Sequence, residues 1–251
     1  RRSSVLVEGR DILVGAAELG DQISDDRCVA HASAIRLWLR TITDRAEDHV
    51  SFDEEVLRLE GFGEDQRDRL IATFAKYAAC VNACDKGLLK DAAENAASLL
   101  EFGAETGYPP AICWGGCLAA YIEALHGNSS KALRHCEAAE NAAQCAFDRL
   151  VVQLARAVVL ERSGDSQAAL DLLERVGRRV TEVGAFYLGH ISIVARGRAL
   201  RSIGKCEEAV NELSYVVSRF DQWGHAKGKA AAMFALAEAC ADLDEASAKA
   251  T

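Results

Sequence analysis

The sequence predicts an all-α fold of stacked antiparallel helix hairpins, about 11–13 helices in all for a repeating chain of this length. Three observations predict it. The first is a stretch that recurs: HGNSSKAL at 126–133, SGDSQAAL at 163–170 and IGKCEEAV at 203–210. Each copy has a turn glycine (Gly127, Gly164, Gly204), an alanine five residues later (Ala132, Ala169, Ala209) and a small residue seven before (Ala120, Ala157, Gly197). A fainter copy lies at Gly87 and Ala92, and another downstream, where Ala241 takes the glycine's place and Ala246 follows. Self-similarity at 20–50 residues marks a stacked repeat. The second observation is composition: strong helix formers dominate and the only two prolines, Pro109 and Pro110, are adjacent. The third is that no run alternates apolar and polar residues as a half-buried strand would.

Taken in order, residues 3–19 read as a helix ended by Gly20-Asp21. Residues 23–45 follow, with Val29, Ile35, Leu37, Leu39 and Ile42 at helical spacing and Asp25 or Asp26 at the start. Ser51 and Glu54 form a capping-box pattern, so a short helix is expected at 52–60, closed by Gly61-Phe62-Gly63. A further helix covers 64–85. Beyond Gly87 the pattern is regular, with helices at 89–104, 110–126, 129–145, 148–163, 166–182, 187–203, 206–221 and 226–241. Pro110 suits a first turn, where its missing N–H costs nothing. Asp165-Ser166 and Ser129-Ser130 stand where N-caps are wanted. The reading divides the chain into N-terminal helices at 1–62, with a poorer repeat, and an array over 63–251, most simply as one continuous domain. The chain starts without Met and stops where a further helix is expected to begin at DEASAKAT, so a piece of something larger is expected. The small residues let two helices approach closely, and a larger side chain there would strain the core.

Composition excludes several function classes. Net charge is −9, so the body repels nucleic acid phosphates. No stretch of about 18 apolar residues offers a membrane span. The nine cysteines, placed inside helical patterns, read as buried thiols in a reducing cytoplasmic setting rather than as a disulfide framework.

These features resemble the tetratricopeptide repeat. Ala120/Gly127/Ala132, Ala157/Gly164/Ala169 and Gly197/Gly204/Ala209 match its small–glycine–alanine signature, and Pro110 stands where its proline belongs. The resemblance covers 75–251 well and 1–74 weakly. The copies are 37 and 40 residues apart rather than the family's 34. Glu123, Leu160 and Leu200 replace the aromatic expected four residues before the glycine, and Arg156 and Arg196 stand where leucine is usual. Longer repeats of this kind, and the segment GYPPAICWGGCLAAYIEALHGNSSKAL, are similar to helical regions of large bacterial signalling proteins. Examples are adenylate/guanylate cyclases with an ATPase module and LuxR-type regulators resembling the maltose-regulon activator. The resemblance implies a right-handed superhelix, an α-solenoid, whose concave face is lined by the first helix of each hairpin.

Carried over by offset from the turn glycines, the family's groove positions fall on Phe74, Tyr77 and Val81, then on Trp114, Cys117 and Tyr121. Further copies give Leu154 and Val158, then Ile191, Val194, Arg198 and Arg201. That implies an aromatic and aliphatic groove with a basic end, suited to an amphipathic helix or an extended peptide bearing an acidic residue. The competing reading is that these apolar residues pack between neighbouring hairpins.

Other motifs point to less. Cys80/Cys84 and Cys113/Cys117 are i,i+4 pairs, and four thiolates could form a zinc site. The CxxxC spacing is not a zinc knuckle, and Cys80 occupies the small-residue position of its repeat, so no metal is expected. The six histidines form no HExxH or HxH pair and are expected to be solvated or locally bonded. GHAKGKA at 224–230 lacks the strand, the spacing and the Ser/Thr of a phosphate loop. The carboxylates of FDEEVLRLEGFGEDQRDR are expected to form the solvated face of a helix pair. No catalytic signature is visible. The expected function is that of a non-catalytic, cytoplasmic scaffold that binds a protein or peptide, as the regulatory repeat region of a larger signalling or transcription-regulatory protein, without cofactor, nucleic acid or membrane; a homo-oligomer is compatible with it. The alternative is a superhelix that senses a small-molecule effector and controls an attached domain.

Overall fold

The computed structural model describes the backbone of residues 4–42, 51–183, 186–223 and 225–250. Side chains are described for 12–41, 51–180, 182, 188–222 and 225–245. These residues form twelve helices and no strand: α1 Ser4–Gln22, α2 Asp26–Ile42, α3 Phe52–Asp65, α4 Arg69–Asp85, α5 Leu89–Thr106, α6 Pro109–Leu125, α7 Ser129–Ala142, α8 Ala146–Arg162, α9 Ser166–Val183, α10 Phe186–Ser202, α11 Cys206–Trp223 and α12 Ala226–Ala250. The all-α expectation holds, and consecutive helices pack as antiparallel pairs. From Gly87 to residue 223 the expected spans match within three residues.

The turns explain the match. Gly87, Gly127, Gly164 and Gly204 all have φ between +73° and +87°, a region that a Cβ disfavours. After each, an amide bonds back to a carbonyl five residues earlier: Leu88 to Ala83, Asn128 to Glu123, Asp165 to Leu160 and Lys205 to Leu200, all at 2.9–3.0 Å. The alanines five residues past these glycines, Ala92, Ala132, Ala169 and Ala209, are fully buried. At Gly197 an added Cβ would lie 2.5 Å from the Leu213 side chain of α11. The small residue is therefore what lets α10 and α11 touch.

Several expectations change. Gly61 and Gly63 do not end a short helix; α3 runs through them to Asp65. Gly63 is a crossing point instead, because a Cβ there would come 2.7 Å from the Ala72 amide of α4. The turn falls at Arg67, which takes φ +52° without being glycine, and α4 starts at Arg69 rather than at 64. Gly20 likewise lies inside α1, against Val29, and the turn is at Ser24 (φ +56°). Ser51 does stand at the N-cap of α3, but its side chain makes no capping bond. Helix α7 stops at Ala142, and Cys145 sits in a loop rather than a helix, exposed, capping α8. Its Sγ accepts from the Asp148 amide while the Asp148 carboxylate accepts from the Cys145 amide. Finally, α12 is one helix to Ala250, so neither the faint copy at Ala241 nor a new helix at DEASAKAT exists. Nothing at 241 resembles the turn glycine, and the alanine-rich stretch propagates the helix. The predicted N-caps fare unevenly: Asp25 and Asp165 accept amides of the following turn, whereas Asn128, not Ser129 or Ser130, precedes α7.

The chain divides into two compact units, Arg1–Gly115 and Gly116–Thr251, with the division inside α6. In the first unit α2, α3 and α4 enclose Leu37, Val56, Leu59, Ile71, Ala75 and Ala78. It also buries charge. Glu55 is 1% exposed, and its carboxylate accepts from Arg36 at 3.1 Å and from Arg40 at 2.8 Å. Asp68 accepts from Arg27 and His31 through Oδ2 and from the Ile71 amide through Oδ1, capping α4. Burial raises the proton affinity of the Asp68 carboxyl, but the bonds from His31, Ile71 and Arg27 together outweigh it and hold the pKa below the ordinary value. Lys76 is buried against Glu60 and Glu64 of α3, with its ammonium over the Phe102 ring. The acidic stretch around α3 is thus not simply a solvated face. Asp53 and Glu54 are exposed, but Glu55 and Asp68 are interior because cationic partners offset their desolvation.

The second unit is built mostly from aliphatic residues and alanine. One cluster gathers Leu150, Leu154, Leu173, Val176 and Val180 of α8 and α9. Another gathers Leu213, Val216, Phe220, Ala232 and Ala235 of α11 and α12. Helix α8 packs on α10, and α10 on α12, so these three first helices form a layer.

Candidate functional site

In the first unit the first helices of successive hairpins are α2, α4 and the start of α6. They carry a continuous row of aromatic rings. Trp38 of α2 lies 6.2 Å from Phe74 of α4, centroid to centroid, and Phe74 lies 5.5 Å from Trp114 of α6. Tyr77 adds an edge contact to Trp114 at 5.8 Å. All interplanar angles are 59–69°, the tilted arrangement favoured by ring quadrupoles. Every one of these rings is half-buried. Val81, one helical turn beyond Tyr77, is also half-buried.

Phe74, Tyr77 and Trp114 were expected on such a face from repeat offsets. Trp38 was not, although it stands 36 residues before Phe74, close to the repeat period. The period was the available signal; the weaker small-residue signature of the front helices hid it.

The second unit holds the remaining expected positions, and several are core. Leu154 is 6% exposed inside the α8–α9 cluster, Val194 is 7% exposed inside the α11–α12 cluster, and Cys117 is buried on α6. These three are packing residues and offer a partner no surface. Val158 and Ile191 are half-buried against the α8–α9 cluster. Tyr121 is the exception: its ring is exposed and lies under the Arg162 guanidinium at 5.9 Å.

The basic end of the expected groove is largely spoken for. Arg201 donates to Glu238 at 2.9 Å and to Asp242 at 2.7 Å, both on α12. The Asp242 bond, opposed by partial burial and aided by the Glu238 charge, raises the arginine's already high pKa. Arg201 is therefore committed to its own chain rather than poised for an acidic partner. Arg198, half-buried, faces Glu161 of α8; burial raises the Glu161 pKa, and the Arg198 and Arg162 charges oppose that rise.

No family model matches this chain, and no curated protein matches it.

The cysteines and histidines complete the survey. The Cys80 Sγ donates to the Ala92 carbonyl, and hydrogen bonding to the neighbouring Cys84 thiol, followed by burial, pushes the Cys80 pKa up. Burial pushes the Cys136 thiol up to about 11. Such thiols are protonated and unreactive at neutral pH. Among the described residues no three His, Cys, Asp or Glu side chains converge as metal ligands would. His190 and His225 are buried, 9% and 5% exposed, rather than solvated. His49 lies outside the described residues. Among the described residues no helix is long and apolar enough to cross a membrane.

What the first unit's face can do is bury apolar groups. Aromatic rings fixed by packing lose little conformational freedom when a partner lands on them, so they anchor interfaces efficiently.

Proposed function

We propose that this chain is a non-catalytic scaffold that binds a protein or peptide segment on the half-exposed row of Trp38, Phe74, Tyr77 and Trp114. The observation that carries the reading is the row of half-exposed rings on the first helices of three successive hairpins. A ring row of this length fits an apolar segment laid across the helices, helical or extended. Specificity would come from shape and from aromatic anchors rather than from Arg201, which its own chain holds. The resemblance to tetratricopeptide repeats supports the same use. With it goes the reading of a cytoplasmic regulatory region within a larger bacterial signalling protein.

The test is a selection from a displayed peptide library against the wild-type chain, with Phe74→Ala/Trp114→Ala as the counter-target. Peptides that bind the wild type should lose at least tenfold in affinity on the double variant, equivalent to about 1.4 kcal/mol. Arg198→Glu should leave their affinity within about threefold. Peptides indifferent to the aromatic double variant would place the binding surface elsewhere.

A second reading, effector sensing, has one observation in its favour. An open surface depression of about 360 Å³ lies between α10 and α11, lined by Ile193, Arg196, Asn211, Glu212 and Tyr215. That volume is within the range of small-molecule sites. Glu212 pairs with Arg196 at 3.1 Å, and burial raises its pKa. A metabolite that binds there would raise the melting temperature by mass action, and Tyr215→Ala would abolish the rise.

A further inference from the structure

The entry to α12 is held by an unusual cap. His225 is the residue before the helix and is only 5% exposed. Its ring Nδ1 accepts a hydrogen bond from the Gly228 amide at 3.0 Å, the position that Ser, Thr, Asp or Asn side chains normally serve. Its own amide donates to the Phe220 carbonyl of α11, and its carbonyl accepts from the Lys229 amide. The ring packs edge-on against Phe220 at 5.0 Å. Gly228 is held equally tightly, since a Cβ there would meet the Phe220 ring at 2.9 Å. Histidine, cap, glycine and phenylalanine form one joint between α11 and α12.

A ring nitrogen accepts a hydrogen bond only while it carries no proton. Protonation of Nδ1 therefore removes the acceptor, turns it toward a donor and places a positive charge at the positive end of the helix dipole. Charged and titratable groups stand around the joint on each helix. On α11, Asp221 is paired with Lys229 of α12 at 2.5 Å. On α12 itself stands Lys227, a further cation. On α10, His190 packs on Phe220 at 6.1 Å and is a second titratable ring rather than an acid.

We propose that His225 is a proton-operated latch that docks α12 onto α11 above the histidine titration range and releases its first turn below it. The sign follows from linkage. The docked form requires an unprotonated Nδ1, whereas in the undocked chain the imidazole takes up a proton freely near pH 6.5. The undocked form binds more protons, so docking weakens as pH falls through that range. The released turn leads the helix that carries Glu238 and Asp242, the partners of Arg201.

The test is hydrogen exchange with mass spectrometry on the whole 251-residue chain, at pH 7.5 and 5.5, corrected for intrinsic exchange rates. Protection of peptides covering 226–235 in the wild type should fall by roughly tenfold between the two conditions. His225→Asn keeps a capping acceptor that does not titrate there, and its protection should change less than about twofold. His225→Asp serves the same purpose if the asparagine variant folds poorly. His190→Gln should keep the wild-type fall. Equal falls in wild type and His225→Asn would overturn the latch. So would a wild type that shows no fall, or a fall that disappears in His190→Gln.

Discussion

The two units use one hairpin geometry but fill it with different chemistry. In the first, charge goes inside: Glu55, Asp68 and Lys76 are buried between α2, α3 and α4 with named partners, while aromatic rings stay half-open on the first-helix face. In the second, the core clusters are mainly leucine, valine and alanine, although Asp148, His190 and His225 are also buried, and the first-helix face carries ion pairs such as Arg201 with Glu238 and Asp242. The difference shows that a repeat template fixes where small residues must be and leaves the rest of each layer free. Unit one gives its outer face to rings that a partner could cover.

The comparison can be broken at its most asymmetric point, the buried charges. Glu55→Ala takes the buried carboxylate away from Arg36 and Arg40. It should cost about 3–5 kcal/mol in urea unfolding, since removing one partner of a buried pair strands the other. Arg201→Leu in the second unit removes a partly exposed pair, and the same measurement should register about 0–1 kcal/mol. Similar losses for the two would erase the distinction.

The shared template should respond alike in both units. Ala169→Leu, at a fully buried α9 position, should cost about 1–3 kcal/mol by overpacking, and so should Ala92→Leu in α5. A parent-like melt for either variant would contradict the hairpin register.

Below the histidine range, acid should weaken the first unit at Asp68. Asp68 is held below its ordinary pKa in the folded state, so its charge stabilises the fold above the unfolded carboxyl range, and that contribution is lost as pH falls through the folded value. Asp68→Asn keeps a capping oxygen but removes the titration. Its stability between pH 5 and pH 3 should fall less steeply than that of the wild type.

The smallest effect sharpens the comparison of turns. Arg67 takes a left-handed conformation that the second unit assigns to glycine. Arg67→Gly should be neutral or stabilising by up to about 1 kcal/mol, whereas Gly164→Ala should be destabilising by a similar amount.

Those turns also explain what was legible in the sequence. From Gly87 to residue 223 every hairpin announces itself with a glycine at positive φ and a buried alanine, and the helices fall where the pattern puts them. In front, Ser24 and Arg67 bend the chain with no glycine to mark them, while Gly20 and Gly63 sit inside helices at crossings. A glycine signals either a turn or a close approach, and spacing alone did not separate the two. At the other end, Ala241 carried the small-residue spacing without a turn. The candidate site divides in the same way. Phe74, Tyr77 and Trp114 follow from repeat offsets, but offsets alone do not distinguish Leu154 and Val194, which turn inward, from Tyr121, which turns out. Arg201 looked available because its partners lie on α12, a helix away, and pairing across helices is not visible in a local pattern. The cap at His225 was hidden for a similar reason: its donor is three residues on, but its burial is set by Phe220.

The most direct measurement is a fluorescence titration of Trp223→Phe, in which Trp38 and Trp114 are the only indoles, with a peptide selected against the wild-type chain. If the aromatic row is the binding surface, emission should shift to the blue and saturate at the dissociation constant found by calorimetry, and Phe74→Ala should abolish both signals. Undiminished calorimetric binding with no change in Trp38 or Trp114 emission would show that the partner sits elsewhere.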